Sequence, residues 1–214
     1  MTIMSLESFE NQQKRAARIL QKLKREYPNA KIALKYKTPM QLLAAVILSA
    51  QATDAQVNKI TAELFKKYKN VDNFADANLR IFTKEVSGVN FYKNKAKYIV
   101  GSARKIRADY GGKIPASIDE LVKLPGVARK TANIVLWQVY RKAQGIAVDT
   151  HVMRVLQKLG LTHEKNPVKI EQDLMKLYPK KDWGTVEFYF QAYGRTASPA
   201  RGKPDREDPL EGLY

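Results

Sequence analysis

Apolar residues recur every three to four positions along most of the chain, which is the spacing of helices. Residues 7–26 place Phe9, Ala16, Ile19, Leu20 and Leu23 among many charges, as an amphipathic helix does. The run at 40–50, MQLLAAVILSA, is almost entirely apolar. It is typical of a buried helix and is too short to span a bilayer. The only strand-like run is the short GIAV at 145–148, so the pattern predicts an all-α fold.

Capping residues predict where the helices begin. Thr38, Thr53, Asp149 and Asn166 each precede a periodic segment, and Pro follows Thr38 and Asn166 directly. Short helices are expected within 72–84, a long basic helix at 91–110 that ends at two glycines, and a last helix from Asp182 to about residue 193. From residue 197 onward the chain is rich in Pro, Gly and charge, which predicts a surface segment without regular structure.

Residues 117–141 predict two helices joined by a hairpin. Ser117 and Glu120 form a capping box for a short helix ending near Leu124, Pro125-Gly126 breaks the chain, and a second helix runs over about 128–141. Gly126 has no Cβ to keep a ligand away, the amides of Val127 and Ala128 would lie at a helix N-terminus, and Arg129 adds charge. Such a turn can hold a DNA phosphate without reading bases, or it can simply connect two packed helices.

The balance of charge favours a polyanionic partner. The chain carries 38 Lys and Arg against 21 Asp and Glu, a net charge of +17. We expect nucleic acid rather than a generally basic protein without such a partner. There are no cysteines, which excludes disulfides, zinc–thiolate sites and cysteine-held iron–sulfur clusters, and two histidines argue against a histidine-rich metal site. The N-terminal residues lack the apolar core of a signal peptide, so a cytoplasmic protein is expected.

Two residues near the hairpin could carry chemistry. The positive end of a helix, with Arg129 beside it, disfavours the charged form of the Lys130 amine, and an uncharged amine is a nucleophile for a carbonyl-like carbon. Asp149, 19 residues later, caps a helix and could also face a cleft. Most lysines are solvated charges and most such aspartates are caps, so neither residue alone establishes catalysis.

Four separate blocks together resemble one family. They are LPGVARKTAN at 124–133, AVDTHVMRV at 147–155, VILSAQATDAQVNKI at 46–60 and FYKNKAKYIV at 91–100. They are similar, in the same order, to the endonuclease III branch of the helix-hairpin-helix DNA glycosylases, and the resemblance covers about residues 10–195. It implies an all-helical fold of two lobes with DNA in the groove between them. One lobe is a six-helix barrel at 30–140 that includes the hairpin at 117–141, and the other combines 1–29 with 141–196, followed by an irregular tail at 197–214.

The resemblance also implies an activity: a bifunctional glycosylase and abasic-site (AP) lyase of base excision repair, acting on oxidised pyrimidines in duplex DNA. Lys130 matches the Schiff-base lysine and Asp149 the aspartate that stabilises the sugar cation or assists the lysine. Gln51 matches the residue that fills the gap left by the flipped base. Phe91 matches an apolar wedge, and His151 follows the aspartate as in the family. Without the resemblance, Gln51 is an exposed glutamine, Phe91 a core aromatic and His151 a residue that orients the cleft.

Other functions stay open at this point. The damage could be an oxidised purine or a mismatched thymine or uracil, or the chain could be a non-catalytic helix-hairpin-helix DNA-binding protein. The family also implies a monomer, nucleoid-associated if the source is prokaryotic.

The chain departs from the family in two places. Most endonuclease III proteins hold a [4Fe–4S] cluster with four cysteines, which align here with Ser198, Asp205, Asp208 and Tyr214. We therefore expect no cluster and no other cofactor, and we expect local ion pairs of the two aspartates with Arg201 and Arg206 instead. The other departure is Ala128, where the family often has glycine, and the hairpin is expected to survive it.

Overall fold

The structure is a computed structural model that describes residues 7–214; the first six residues of the expected second lobe lie outside this range. Over the described residues the chain is all-α, as predicted, with no strand. The helices are α1 (Phe9–Glu26), α2 (Pro39–Ser49), α3 (Asp54–Lys67), α4 (Val71–Ala75), α5 (Leu79–Glu85), α6 (Tyr92–Tyr110), α7 (Ile118–Leu121), α8 (Arg129–Tyr140), α9 (Thr150–Lys158), α10 (Pro167–Leu177) and α11 (Val186–Thr196), with a 3₁₀ turn at Lys180–Asp182. None of the helices in residues 7–214 combines the length and apolar character that a bilayer crossing requires.

The chain divides into two compact units. The central unit is Ala33–Gln144 and contains α2 to α8. The terminal unit combines the chain up to Ile32 with Gly145–Tyr214, and contains α1 and α9 to α11.

The core of the central unit is built around α2 and α6. Residues Met40–Leu48 of α2 are all buried, as expected for the apolar run. The long helix α6 packs against α2, α4 and α5. An aromatic group fills one end of this core: Phe65, Tyr68, Phe74 and Phe82. The two helices that flank the hairpin, α7 and α8, pack against each other, and α8 also packs on α2.

The core of the terminal unit is formed by amphipathic helices. The predicted apolar face of α1 is buried except at Phe9, the first residue of the helix, which is exposed. Helix α1 packs on α10 and α11, and α9 packs on α11. Leu210, from the irregular segment after α11, is fully buried in the same core. The tail therefore lacks helices but is packed into the unit.

Most predicted helix starts are confirmed, because the side chains of Thr38, Thr53, Ser117, Asp149 and Asn166 each accept a backbone N–H of the helix that follows. Only half of the capping box at Ser117 forms. The other half fails because the Glu120 carboxylate instead accepts bonds from the Tyr110 hydroxyl and Lys123.

The predicted start of the last helix at Asp182 is wrong. Asp182 ends the short 3₁₀ turn, and α11 begins only at Val186 and continues to Thr196. The reason is that the Asp182 carboxylate accepts a 2.6 Å bond from Lys24 of α1, while its carbonyl closes a turn onto the Thr185 amide. The aspartate thus has a tertiary partner in place of a capping role.

A polar network anchors the tail at Asp208. Its carboxylate accepts bonds from the hydroxyls of Tyr193 (2.8 Å) and Tyr214 (2.7 Å), from Lys158 Nζ (2.9 Å) and from the Leu210 amide (2.9 Å). Burial alone would raise the pKa of Asp208, but these four donors outweigh it and lower the pKa to about 2. Asp208 and Tyr214, two of the four residues that align with the cluster cysteines of the family, thus bind each other.

The expected pairing of the tail aspartates with Arg201 and Arg206 is wrong. Asp208 pairs with Lys158 of α9, and Arg206 pairs with Glu26 of α1. Both tail residues thus find their ion-pair partners on helices of the same unit, not within the tail.

The four cluster positions do not fit an iron–sulfur cluster. The chain has no thiolate to bind iron. The Ser198 hydroxyl and carbonyl face Arg154, the Asp205 amide donates to Thr196 O, and the Asp208 carboxylate is occupied by its four donors. Among residues 7–214 there is also no group of three or more His, Cys, Asp or Glu side chains that could hold a metal ion.

Replacing Asp208 with asparagine is expected to lower the free energy of unfolding by about 2 kcal/mol at neutral pH, the linkage value of a pKa lowered from 3.8 to about 2. Because the folded pKa lies below the unfolded one, this stabilisation is complete above about pH 4 and is lost as the pH falls towards 2. Urea unfolding of the wild type and of Asp208→Asn at pH 7 and pH 3 measures this difference in the free energy of unfolding. Asp205→Asn, a matched exposed change in the same tail, should stay within about 0.5 kcal/mol of wild type. An equal effect of the two variants would contradict the role of the network.

Candidate DNA-binding and catalytic site

The hairpin between α7 and α8 is shaped by Gly126. This glycine has φ +74°, and a Cβ built on it would lie 2.6 Å from Cβ and Cγ of Tyr98, so both its backbone conformation and its surroundings exclude a side chain. The hairpin is attached to α6, because Ser102 Oγ donates a 2.8 Å bond to the carbonyl of Pro125. The motif read from the sequence therefore has a fixed position on the central unit.

The start of α8 differs from most helix starts in this protein. Its N-cap is Ala128, which supplies no capping side chain, and the first turn has no acidic residue. Eight of the eleven described α-helices have a side-chain cap instead. An uncapped helix start with a positive dipole end can accept an anion such as a phosphate. Ala128 itself has φ −87° and ψ 169°, an extended conformation that alanine adopts without strain, so glycine is not needed there.

One predicted phosphate donor needs correction. The Val127 amide donates to the carbonyl of Leu124 at 3.2 Å, closing the hairpin turn, and the Val127 side chain is buried. The amide is thus used by the turn, because a hairpin this tight brings the donor back to the carbonyl three residues earlier. The backbone amides that this turn leaves unused begin no earlier than Ala128.

Lys130 is the second residue of α8, one position after the exposed Arg129. It is half-buried, unlike the many fully exposed lysines of this basic chain. One continuous segment of the central unit thus carries the candidate nucleophile Lys130 and the four hairpin residues before it, Gly126, Val127, Ala128 and Arg129.

Asp149 lies in the terminal unit, at the start of α9, and both of its oxygens have identified partners. Oδ1 accepts the Val152 amide at 2.8 Å, which is the predicted N-cap bond. Oδ2 accepts a 2.9 Å bond from Nε2 of Gln191 on α11. The carboxylate is therefore held in one orientation by two helices that pack on each other. His151 is exposed in the first turn of α9.

Gln191 is a residue that the sequence analysis missed. It lies 42 positions after Asp149, in FYFQAYG, and nothing in that run marks a lone glutamine as part of a site. Only its place on a predicted helix with an apolar opposite face could have suggested an inward polar contact.

Gln51 and Phe91 lie together in the central unit. Both are exposed non-glycine residues with positive φ, 53° and 57°. The Nδ2 of Asn90, next to Phe91, donates a 3.0 Å bond to the carbonyl of Gln51. Phe91 is 62% exposed, the largest value among the exposed large hydrophobic side chains of residues 7–214, so it is not the core aromatic that one interpretation of the sequence allowed.

Comparison with known proteins identifies the family of this chain. Residues 44–180 match the model of the HhH-GPD superfamily base excision DNA repair proteins. The chain is 44% identical to endonuclease III of Synechocystis sp. over 92% of its length and 90% of that protein, and 41% identical to endonuclease III of Bacillus subtilis over 91% of its length and 89% of that protein.

Solved structures agree as well. The chain matches endonuclease III in a trapped covalent intermediate with DNA at a TM-score of 0.85, with 35% identity, 89% of this chain and 90% of that chain covered. A thermostable thymine-DNA glycosylase, 18% identical, has the same fold at a TM-score of 0.78, covering 94% of both chains. The chain belongs to the HhH-GPD superfamily of base excision DNA repair proteins.

Proposed function

We propose that this chain is a bifunctional DNA glycosylase and AP lyase that removes oxidised pyrimidines from duplex DNA, with Lys130 as its nucleophile. The observation that carries the proposal is the placement of Lys130 in the first turn of α8, directly after a hairpin whose helix start is uncapped and free of acidic side chains. Such a start holds a phosphate of the DNA backbone and thereby places the following lysine next to a nucleotide. The endonuclease III relatives, at 41–44% identity over nine-tenths of the chain, support the same chemistry.

The proposed reaction begins with the amine of Lys130. Its nitrogen lone pair attacks C1′ of the damaged nucleotide, the electrons of the C1′–N bond leave with the base, and the attacking nitrogen passes a proton to the base. The lone pair of that nitrogen then breaks the C1′–O4′ bond, giving a protonated Schiff base, and O4′ takes up a proton from water. Loss of a proton from C2′ and breakage of the C3′–O bond cut the strand on the 3′ side, and water hydrolyses the imine to release the enzyme.

Asp149 is proposed to supply the negative charge that this sequence needs. Positive charge develops on the sugar as the base leaves, and a carboxylate in a fixed orientation stabilises it without reorganising. The bonds from the Val152 amide and Gln191 provide that fixed orientation. Gln191 is therefore proposed as a positioning residue for Asp149, and its 2.9 Å bond to Oδ2 supports this role.

The DNA contacts are proposed from the hairpin and from the exposed pair Gln51 and Phe91. The start of α8 and Arg129 would bind backbone phosphates, which suits a chain with a net charge of +17. Gln51 would fill the gap left by the flipped nucleotide and Phe91 would enter the stack beside it, since both are exposed on the same part of the central unit. His151 would face the DNA next to Asp149.

We propose further that the reaction proceeds without an iron–sulfur cluster or another cofactor. A lysine nucleophile and a carboxylate need no redox centre, and the tail is held by the Asp208 network at the positions where relatives place cysteines. A repair enzyme of this kind would work in the cytoplasm, at the chromosome.

A panel of duplexes with one lesion each tests the substrate. Duplexes with thymine glycol are expected to be cut, whereas 8-oxoguanine, uracil and mismatched thymine should be cut at least about tenfold more slowly, a difference that pocket contacts commonly provide. Faster cleavage of 8-oxoguanine or of the mismatches would assign the chain to those substrates instead. Binding to every duplex without any cleavage would favour a non-catalytic DNA-binding protein.

A further inference from the structure

The exposed residues Gln51 and Phe91 have a backbone conformation that costs free energy. Among residues 7–214, only Gln51, Phe91 and Arg141 are non-glycine residues with positive φ, and Arg141 is the C-cap of α8, where this conformation is common. At any position other than a helix C-cap, such a residue costs free energy and persists only where its surroundings hold it; Phe91 is the N-cap of α6, where an extended conformation is usual. What holds Gln51 and Phe91 can be read from the side chains around them.

Lys95 holds the segment that leads into Gln51. This lysine of α6 is only 4% exposed, and its Nζ donates to the carbonyls of Leu48, at 2.8 Å, and of Ala50. Ala50 is the C-cap of α2, so the ammonium group lies at the negative end of that helix. Burial lowers the pKa of Lys95. A buried cation is costly unless such acceptors surround it, and a core position on α6 would otherwise be filled by an apolar residue.

Two more side chains link the same two segments. Asn90 Nδ2 donates to the carbonyl of Gln51 at 3.0 Å, and Gln56 Nε2, from the first turns of α3, donates to the carbonyl of Gly88. The turn before α6 thus donates to the segment between α2 and α3 through Asn90, and it accepts a bond from the start of α3 through Gln56. We call Gln56, Asn90 and Lys95 the wedge clamp.

We propose that the wedge clamp positions Gln51 and Phe91 as one preformed unit that enters the DNA stack while the damaged nucleotide is extruded. The proposal rests on the proposed function. Extrusion costs the free energy of the stacking and pairing that the nucleotide loses. A wedge that had to be ordered during insertion would add its own conformational entropy to that cost, whereas a wedge already held in place does not. The three clamp residues act through Gln51 and Phe91 and are positioning residues, not catalytic ones.

Asn90→Ala gives the sharpest test, because Asn90 is exposed and its loss leaves the core intact. The matched control is Asn94→Ala, an exposed asparagine of α6 one turn further along. Single-turnover excision from a thymine glycol duplex is expected to slow about tenfold in Asn90→Ala and to stay unchanged in Asn94→Ala, in line with the cost of misplacing a positioned group. A 2-aminopurine opposite the lesion should brighten more slowly by the same factor, since it reports unstacking of that base.

Two further readouts separate positioning from a general defect. Excision from the same lesion in single-stranded DNA, where there is no pairing partner to displace, should be equal in wild type and Asn90→Ala. In a background that carries both Gln51→Ala and Phe91→Ala, adding Asn90→Ala should cause little further loss on duplex DNA, because the clamp acts through those two side chains. An equal loss on single-stranded DNA, or full additivity with the double change, would overturn the proposal.

Lys95→Met provides a second, larger perturbation. It keeps the length of the side chain but leaves the carbonyls of Leu48 and Ala50 without their donor. Duplex excision should slow more than in Asn90→Ala at a temperature where circular dichroism shows both variants folded, while borohydride trapping on abasic DNA stays at the wild-type yield. Normal duplex excision by folded Lys95→Met and by Asn90→Ala would refute the clamp. Absence of a trapped adduct from the wild type would instead refute the proposed function, and the clamp's role with it.

Discussion

Replacing Lys130 with alanine is expected to abolish covalent trapping of the protein on abasic-site DNA by borohydride. Alanine has no amine, so no Schiff base forms for the reductant to fix. Strand cleavage of a thymine glycol duplex should fall by roughly 10³-fold or more, because loss of a nucleophile removes the covalent route itself. Gel electrophoresis of the trapped adduct and single-turnover cleavage measure the two effects.

The matched control is Lys142→Ala. Lys142 is an exposed lysine just beyond α8, so its removal changes the net charge equally. Trapping and cleavage by this variant should remain close to wild type, and binding of Lys130→Ala to lesion DNA should weaken only slightly. A trapped adduct with Lys130→Ala at the wild-type yield would show that another amine is the nucleophile.

Replacing Asp149 with asparagine is expected to slow base excision by about 10²-fold or more, the usual contribution of a positioned ionisable group. Asparagine caps helices as well as aspartate does, and its oxygen can still accept the Val152 amide, so α9 should stay intact. The negative charge is lost, and with it the stabilisation of the sugar cation. Quenched time courses of base release measure the excision rate. Thermal unfolding of the same variant shows whether a slower rate comes from lost chemistry or from a loss of folded protein.

Gln191 supplies the comparison for that experiment. Gln191→Leu keeps the Asp149 charge but removes the donor to Oδ2, so its loss of rate should be smaller than that of Asp149→Asn. In the Asp149→Asn background the same change should add little, since the two residues act as a pair. Normal excision by Asp149→Asn would remove the carboxylate from the proposed reaction.

The helical fold could be predicted from the sequence because period and capping are local. Thr38, Thr53 and Asn166 cap their helices with their own side chains, so each boundary depends on a few neighbouring residues. Asp182 has the same local pattern, but Lys24, 158 positions away, binds its carboxylate and the helix starts later. Local chemistry cannot reveal which of several possible partners a polar side chain meets.

The same limit applies to the candidate site. Lys130, Asp149 and the hairpin could be selected from spacing and from the family resemblance. The contacts that hold them could not, since Gln191 reaches Asp149 from another helix and Ser102 reaches Pro125 from α6. The burial of Lys95 could not be predicted for a related reason. The chain has 38 lysines and arginines, and nothing in the sequence distinguishes the one that is buried from those that are exposed.

The Asp208 network also bears on the conditions under which the protein can be assembled. Its bonds join a carboxylate, an ammonium group and two phenols, all supplied by the chain itself. Peroxide attacks thiolates and the clusters they hold, but it leaves these groups unchanged. Closure of the terminal unit by this network therefore uses neither iron nor a thiolate, and peroxide at levels that oxidise thiolates should leave it intact.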